Sequence, residues 1–164
     1  MLSTGYISLI LRGTLVAFSI IIIAVVMAGP GQYATVSIHG ISHTRDIGPF
    51  PIDYWNRNDQ MSGVWGQIVV ILLSPLMAFA AIVMTLIIVK NNSDIAKFQA
   101  IYMAVCAVVT LILMAVEFYY GLGFLRDPVN SQLKNGAFDS VHGRGWIAAA
   151  VFLLFSAILY AADA

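Results

Sequence analysis

Four long apolar stretches divide the chain, over about residues 7–28, 66–89, 98–120 and 146–162. A helix needs about 20 mostly apolar residues to cross the hydrocarbon core of a bilayer. Lipid offers no partner for free peptide groups, so each stretch is predicted to be a transmembrane helix. None of them shows the alternation of apolar and polar residues that a transmembrane barrel requires. The predicted fold class is therefore an all-α integral membrane protein, a single-domain bundle of four transmembrane helices.

The connections between these stretches differ in length. Only about eight residues, 90–97, separate the second stretch from the third, whereas residues 29–65 and 121–145 form two long loops. Four successive crossings place the two long loops on one side of the membrane. The short hairpin and both termini are then expected together on the other side.

The orientation in the membrane follows from positive residues near the helix ends. Arg12, Lys90 and Lys97 lie close to helix ends on the short side, although the long loops carry more positive residues in total. Positive charges near the ends of the helices have the largest effect on orientation, so the short side is expected in the cytosol. The first stretch could instead be a cleaved signal peptide. It is long for one and no positive residue precedes it, so we expect it to be retained.

Composition agrees with a membrane protein. The chain has 60% hydrophobic and 10% charged residues and a mean hydropathy of +0.89, whereas soluble domains carry about 25% charged residues. The formal net charge is zero, so no basic field attracts nucleic acid. The expected partners are the lipid bilayer and other membrane proteins or copies of the chain, in a plasma or vesicle membrane.

The first long loop contains the candidate interaction residues. Residues 33–38 are β-prone, and glycines and prolines flank them as turn signals. Aromatic residues in this loop favour an interfacial belt at headgroup level, and they can also anchor a protein partner. The only cysteine, Cys106, lies within the third stretch, so no disulfide is predicted in the loops. The aromatic interface candidates are Tyr33, Phe50, Tyr54, Trp55 and Trp65.

Three ionisable residues lie near the ends of the apolar stretches: Arg12, Glu117 and Asp163. An ionisable residue at membrane depth is a functional hypothesis by default. Each of these residues is nevertheless close enough to a helix end to extend its side chain to the interface. Structural anchoring is therefore favoured over a role in an ion or proton pathway.

Small residues predict how the fourth helix packs. Ala150, Ala157 and Ala161 lie within about 40° of one another on a helical wheel. Small side chains let helix backbones approach closely, which favours association in lipid. Ala157 and Ala161 are therefore candidate interface residues, either within the bundle or between copies.

Few residues indicate catalysis or cofactor binding. His39 and His43 are four residues apart and His142 lies in the other long loop, so these three are weak candidates for metal ligands. Glycines around the first two disfavour the helix that would align them. No histidine lies within an apolar stretch to bind haem, and no phosphate loop or nucleophile–base pair is present. No catalytic residue, no cofactor and no enzyme activity are predicted.

Two families of four-helix membrane proteins share features with the chain. Residues 63–65, Gly-Val-Trp, resemble the claudin pattern, but claudins continue with a cysteine pair in this loop, which is absent here. The chain is more similar to the MARVEL family, which includes MAL, plasmolipin, occludin and synaptophysin. The similarity rests on the alanine- and phenylalanine-rich run of residues 148–164, on Glu117 closing the third stretch, and on Arg12-Gly13 in the first.

The MARVEL resemblance implies a function. It implies a membrane-organising, cell-junction or vesicle-trafficking protein that acts through lateral association and loop contacts. The first loop is longer than in MAL-like members and nearer to that of occludin. The alternative is an accessory subunit of a larger membrane complex, such as a channel, a transporter or an electron-transfer assembly.

The predicted topology can be tested by cysteine accessibility. Ser93→Cys lies in the short hairpin and Ser140→Cys in the second long loop. A membrane-impermeant thiol reagent should label them from opposite sides of the membrane. Labelling of both positions from the same side would contradict the four-helix topology.

Overall fold

The computed structural model describes residues 4–38, 41–49, 51–52, 64–91, 94–124 and 139–164. The described chain is mostly helical, and its helices are α1 (Thr4–Ala28), α2 (Trp65–Asn91), α3 (Asp94–Tyr119) and α4 (Arg144–Asp163). Each of the four is long and apolar enough to cross a membrane, as predicted. The connection predicted over residues 90–97 is largely helical, because α2 continues to Asn91 and α3 begins at Asp94. A π-helical turn, Tyr120–Phe124, follows α3.

The helices pack as a ring in chain order, with α4 closing against α1. Helix α3 packs most extensively against α4, whereas α2 and α3 pack least extensively of the neighbouring pairs. On each helix the buried residues recur every three or four positions, as expected for a single inward face. The outward faces carry large exposed apolar side chains, among them Leu72, Leu76, Phe79, Leu86 and Ile158. An exterior this apolar fits a lipid solvent.

A three-stranded sheet covers one end of the bundle, and its strands are β1 (Gln32–Ile38), β2 (Ile41–Gly48) and β3 (Ser140–Gly143). The order is β2-β1-β3, and both pairings are antiparallel. The all-α class predicted from sequence is therefore incomplete, although the β-prone stretch is confirmed as part of β1. Because β1 belongs to the first long loop and β3 to the second, the two loops lie at the same end of the bundle, as predicted.

The turn between α1 and β1 joins the sheet to the bundle. Gly31 has a positive φ of 68°, which glycine adopts without strain. The first amide groups of a helix have no partner within it. In α4 two of them donate to this turn, Arg144 N to Gly31 O at 3.1 Å and Gly145 N to Pro30 O at 3.0 Å. A Cβ on Gly145 would lie 2.5 Å from Pro30 Cδ, so the close approach requires glycine.

The inward face of α4 differs in part from the predicted one. Ala150 and Ala157 are buried, but Ala161 is exposed. The buried stripe runs through Leu153 and Tyr160, and Ala161 lies about 80° from Leu153 around the helix at 100° per residue. Ala161 is therefore at the edge of the inward face, where α4 also approaches its end.

Because Ala157 is buried and Ala161 is exposed, the two positions provide a matched pair of substitutions. Ala157→Leu should lower the free energy of unfolding by roughly 1–3 kcal/mol, because a larger side chain forces packed helices apart. Ala161→Leu makes the same chemical change one turn later on the exposed face, so it should have little effect. Thermal unfolding in a mild detergent measures both. Equal effects of the two variants would contradict this face assignment.

Candidate functional site

The charged side chains buried in the described bundle belong to two groups, one toward each end. Ser8, Arg12, Thr85 and Asp163 form the Arg12 cluster, toward the end with the short hairpin. Gln67 and Glu117 form the Glu117 pair, toward the end with the sheet. Arg12 donates a hydrogen bond to the carbonyl oxygen of Ala81 on α2. Gln67 lies 14 residues before Ala81, which is about 21 Å along the helix at 1.5 Å per residue.

The Arg12 cluster connects three helices. Arg12 Nε donates to Asp163 Oδ2 at 2.6 Å, which pairs α1 with the last residue of α4. Arg12 Nη1 donates to the carbonyl oxygen of Ala81 at 3.1 Å and to the hydroxyl of Thr85, both on α2. Ser8 Oγ completes the coordination of the carboxylate by donating to Asp163 Oδ1 at 2.6 Å. One side chain thereby holds α1, α2 and α4 together.

Burial of Arg12 corrects the expectation that it extends to the interface. Its side chain is 0% exposed and that of Asp163 is 5% exposed, so the pair is shielded from lipid and water alike. A buried charge is tolerated when it is paired and hydrogen-bonded, and both conditions hold here. The Arg12 cluster is thus suited to holding the helices together.

The Glu117 pair connects α2 with α3. Gln67 Nε2 donates to Glu117 Oε2 at 3.2 Å, and both residues are 0% exposed. The expectation that Glu117 reaches the interface is therefore also wrong. Among the described residues, neither Glu117 Oε1 nor Gln67 Oε1 has a hydrogen-bond partner.

Aromatic residues pack at the same end of the bundle. Trp146 is fully buried, and its Nε1 donates to Val26 O at 3.3 Å, which connects α4 with α1. The ring of Tyr120 meets Trp146 edge-on, with the ring centroids 5.9 Å apart. A Cβ on Gly66 would lie 2.7 Å from the Tyr120 hydroxyl oxygen, so glycine permits the close approach of α2 and the π-helical turn.

The predicted interface residues do not come together within the described part of the chain. Tyr33 is half-buried in β1, and the guanidinium carbon of Arg144 lies 3.9 Å from the centroid of its ring. Trp65, by contrast, begins α2 and is 68% exposed. Phe50, Tyr54 and Trp55 lie outside the described residues.

The two described histidines lie on opposite faces of the sheet. His43 is paired with Val36, and His142 with Tyr33. Directly paired residues share a face of the sheet. Positions 33 and 36 of β1 point to opposite faces, so His142 and His43 also point to opposite faces. His39 lies outside the described residues, within which no three histidine, cysteine, aspartate or glutamate side chains cluster.

An apolar groove runs between α2 and α3 on the outside of the bundle. It holds about 580 Å³, and its lining includes Trp65, Val69, Leu73, Val109, Val116 and Tyr120. These helices are the pair that packs least extensively. The groove therefore offers apolar space at the lipid-facing surface, on the sheet side of the bundle.

Gln67, Thr85 and Ser8 are the residues that reasoning from charge alone missed. The second apolar stretch carries no charge, so charge gives no sign that Gln67 and Thr85 have polar partners. In the structure Gln67 lies on the buried face of α2 with Val70, Ser74 and Ala81. A search for uncharged polar residues in the apolar stretches would have found it.

Removing one partner of the Arg12–Asp163 pair should destabilise the bundle. Asp163→Leu leaves a buried guanidinium without its counter-charge, which costs about 3–5 kcal/mol. The double variant Arg12→Met/Asp163→Leu removes both charges and should recover much of that loss. A double-mutant cycle from thermal unfolding in detergent measures the coupling. Additive effects of the two single substitutions would contradict a direct pair.

Comparison with known proteins returns no relative. The sequence matches no protein-family model, no curated protein and no solved structure. The function is therefore inferred from the chemistry and exposure of the residues described above.

Proposed function

We propose that this chain is a membrane-organising protein of a cell junction or a vesicle membrane. It acts through lateral association within the bilayer and through contacts made by its outer sheet. The short hairpin and the termini lie in the cytosol, and the sheet lies on the opposite side. The observation that carries the proposal is the exposure of β2.

Strand β2 is displayed away from the bundle. Its side chains from Ile41 to Ile47 are all exposed, on both faces of the strand. It pairs with β1, which pairs in turn with β3, and β3 leads directly into α4. The strand is therefore presented on a support that is anchored in the bundle.

One face of β2 combines apolar and basic side chains. Alternation along a strand places Ile41, His43, Arg45 and Ile47 on one face. Ile41 is 63% exposed and Ile47 is 38% exposed. Large apolar side chains beside a positive charge are suited to contact with another protein surface.

The outer faces of the helices support lateral association. They are apolar, and the α2–α3 groove adds a concave surface among them. In lipid, helices associate through close packing, which a groove favours over a smooth face. Lateral association together with loop contacts is also what the resemblance to the MARVEL family implies.

The groove favours a second candidate function, that of an accessory subunit. A transmembrane helix of a larger complex would fill the groove with its side chains and complete the packing of α2 against α3. This candidate differs from the first in its partner, which is a different membrane protein instead of another copy.

Substitutions on the two faces of β2 test the first candidate. Ile41→Asp with Ile47→Asp places charges on the apolar face, whereas Ser42→Asp with Thr44→Asp places the same charges on the opposite face. The fluorescently labelled chain is reconstituted in giant vesicles, and clustering and vesicle adhesion are recorded. We expect the parent to cluster or adhere, the first variant to lose at least half of this signal, and the control variant to keep it.

The outcomes separate the two candidates. Loss of clustering with the first variant alone supports contacts between copies through β2. A chain that is monomeric in vesicles, yet is recovered from cells in fixed stoichiometry with a larger membrane complex, supports the accessory subunit. Equal loss in both β2 variants would contradict a specific contact face.

A further inference from the structure

The buried charges of the described bundle are balanced at one end only. At the short-hairpin end, Arg12 and Asp163 carry opposite charges and lie 2.6 Å apart. At the sheet end, Glu117 is fully buried, and the partner that the structure shows for it is the neutral amide of Gln67. A bare carboxylate in a low-dielectric interior is strongly unfavourable without a compensating positive charge.

Neither Arg12 nor Arg144 provides that charge. Arg12 is bound to Asp163, and its hydrogen bond to Ala81 O places it about 21 Å along α2 from Gln67. Arg144 is exposed and stacks over the ring of Tyr33 on the sheet. Along the described parts of α2 and α3 themselves, no basic side chain lies on the buried face.

The hydrogen bonds of the Glu117 pair also indicate that the carboxylate lacks a compensating charge. Gln67 Nε2 donates to Glu117 Oε2, which joins the amide group to the carboxyl group. The remaining oxygen of each group, Glu117 Oε1 and Gln67 Oε1, is a buried acceptor without a partner in the described part of the chain. Two buried acceptors side by side on an acid and an amide are groups that a proton or a cation can satisfy together.

We propose that Glu117 and Gln67 form a binding site for one small positive charge, a proton or a sodium ion, held between Glu117 Oε1 and Gln67 Oε1. A proton on Glu117 Oε1 donates to Gln67 Oε1 while Gln67 Nε2 donates to Glu117 Oε2. One proton thereby neutralises the carboxylate and satisfies both acceptors. A sodium ion supplies the same charge and takes the same oxygen ligands, which hard cations prefer.

The position of the site indicates where the bound ion comes from and what it holds. Gln67 is the third residue of α2 and Glu117 is the third from the end of α3, so each lies about 3 Å from a helix end on the sheet side. The bound ion therefore exchanges with the compartment that the sheet faces. It joins α2 to α3 beside their apolar groove, where the packing of these helices is least extensive.

Infrared spectroscopy of the full chain reconstituted in lipid at neutral pH tests for a proton. A neutral carboxylic acid has a C=O stretching band that a carboxylate lacks. We expect such a band in the parent, its loss in Glu117→Gln, and a shift to higher frequency in Gln67→Leu, where the hydrogen-bonded amide is gone. Asp46→Asn is the control and should leave the band unchanged, because Asp46 is exposed on β2, outside the bundle.

Thermal unfolding tests for sodium in the same preparations. Tm is compared in sodium chloride and in choline chloride at equal ionic strength. An ion that binds only the folded state raises Tm. A rise in sodium that is lost in Glu117→Gln assigns sodium as the bound ion. Glu117→Gln has nearly the shape of the neutral acid, so it should fold, and circular dichroism checks its helix content.

Each outcome decides the proposal. A Glu117 band without sodium dependence identifies the proton, and sodium dependence without the band identifies sodium. A band that disappears as sodium is added means that the two ions compete for the site. Absence of both the band and the sodium effect in the folded parent would overturn the proposal.

Discussion

The bundle depends on the pairing of polar groups that neither lipid nor water can reach. Arg12 is the centre of this constraint, because its guanidinium group contacts Asp163 on α4 and both Ala81 and Thr85 on α2. A buried charge that has lost its partner costs more than most apolar contacts contribute. The relative positions of α1, α2 and α4 are therefore held by an interaction that does not tolerate sliding of one helix along another.

The outer sheet depends on the same bundle. Its strands β1 and β3 come from different loops, and each lies next to a helix in the chain: β1 follows α1 after a short turn, and β3 runs into α4. The first amide groups of α4 donate to the turn after α1, and Trp146 of α4 donates to the last part of α1. A change in the packing of α1 against α4 would shift the pairing of β1 with β3. The position of β2 therefore depends on how these two helices pack.

The two polar groups of the bundle have different chemical capacities. The Arg12 cluster contains a cation and an anion in contact, so its charges cancel, although Arg12 Nη2 has no partner among the described residues. The Glu117 pair contains an acid and an amide with one free acceptor each, which the proposed proton or sodium ion would satisfy. One end of the bundle thus has its charges paired within the protein, and the other has the site proposed for an exchangeable ion.

Much of the fold could be predicted from the sequence. The four apolar stretches, the β-prone residues 33–38 and the common side of the long loops follow from composition, length and connectivity, which are local or topological properties. Polar spacings that the sequence-based predictions did not use also mark the inward faces. Each helix has a pair of polar residues seven positions apart: Arg12 and Ser19, Gln67 and Ser74, Thr110 and Glu117, Ser156 and Asp163. A spacing of seven returns to nearly the same side of a helix, so these pairs mark the faces that are buried.

The sequence by itself determined the number of helices and their approximate bounds. Only the tertiary structure decided which polar residue meets which, that β1 pairs with β3, and that Ala161 lies outside the packed face. Hydrophobicity is a property of each residue alone, so its pattern can be read directly from the sequence. Pairing depends on the axial stagger and rotation of helices that are far apart in sequence. Arg12 and Asp163 are 151 residues apart, and nothing local to either one specifies the other.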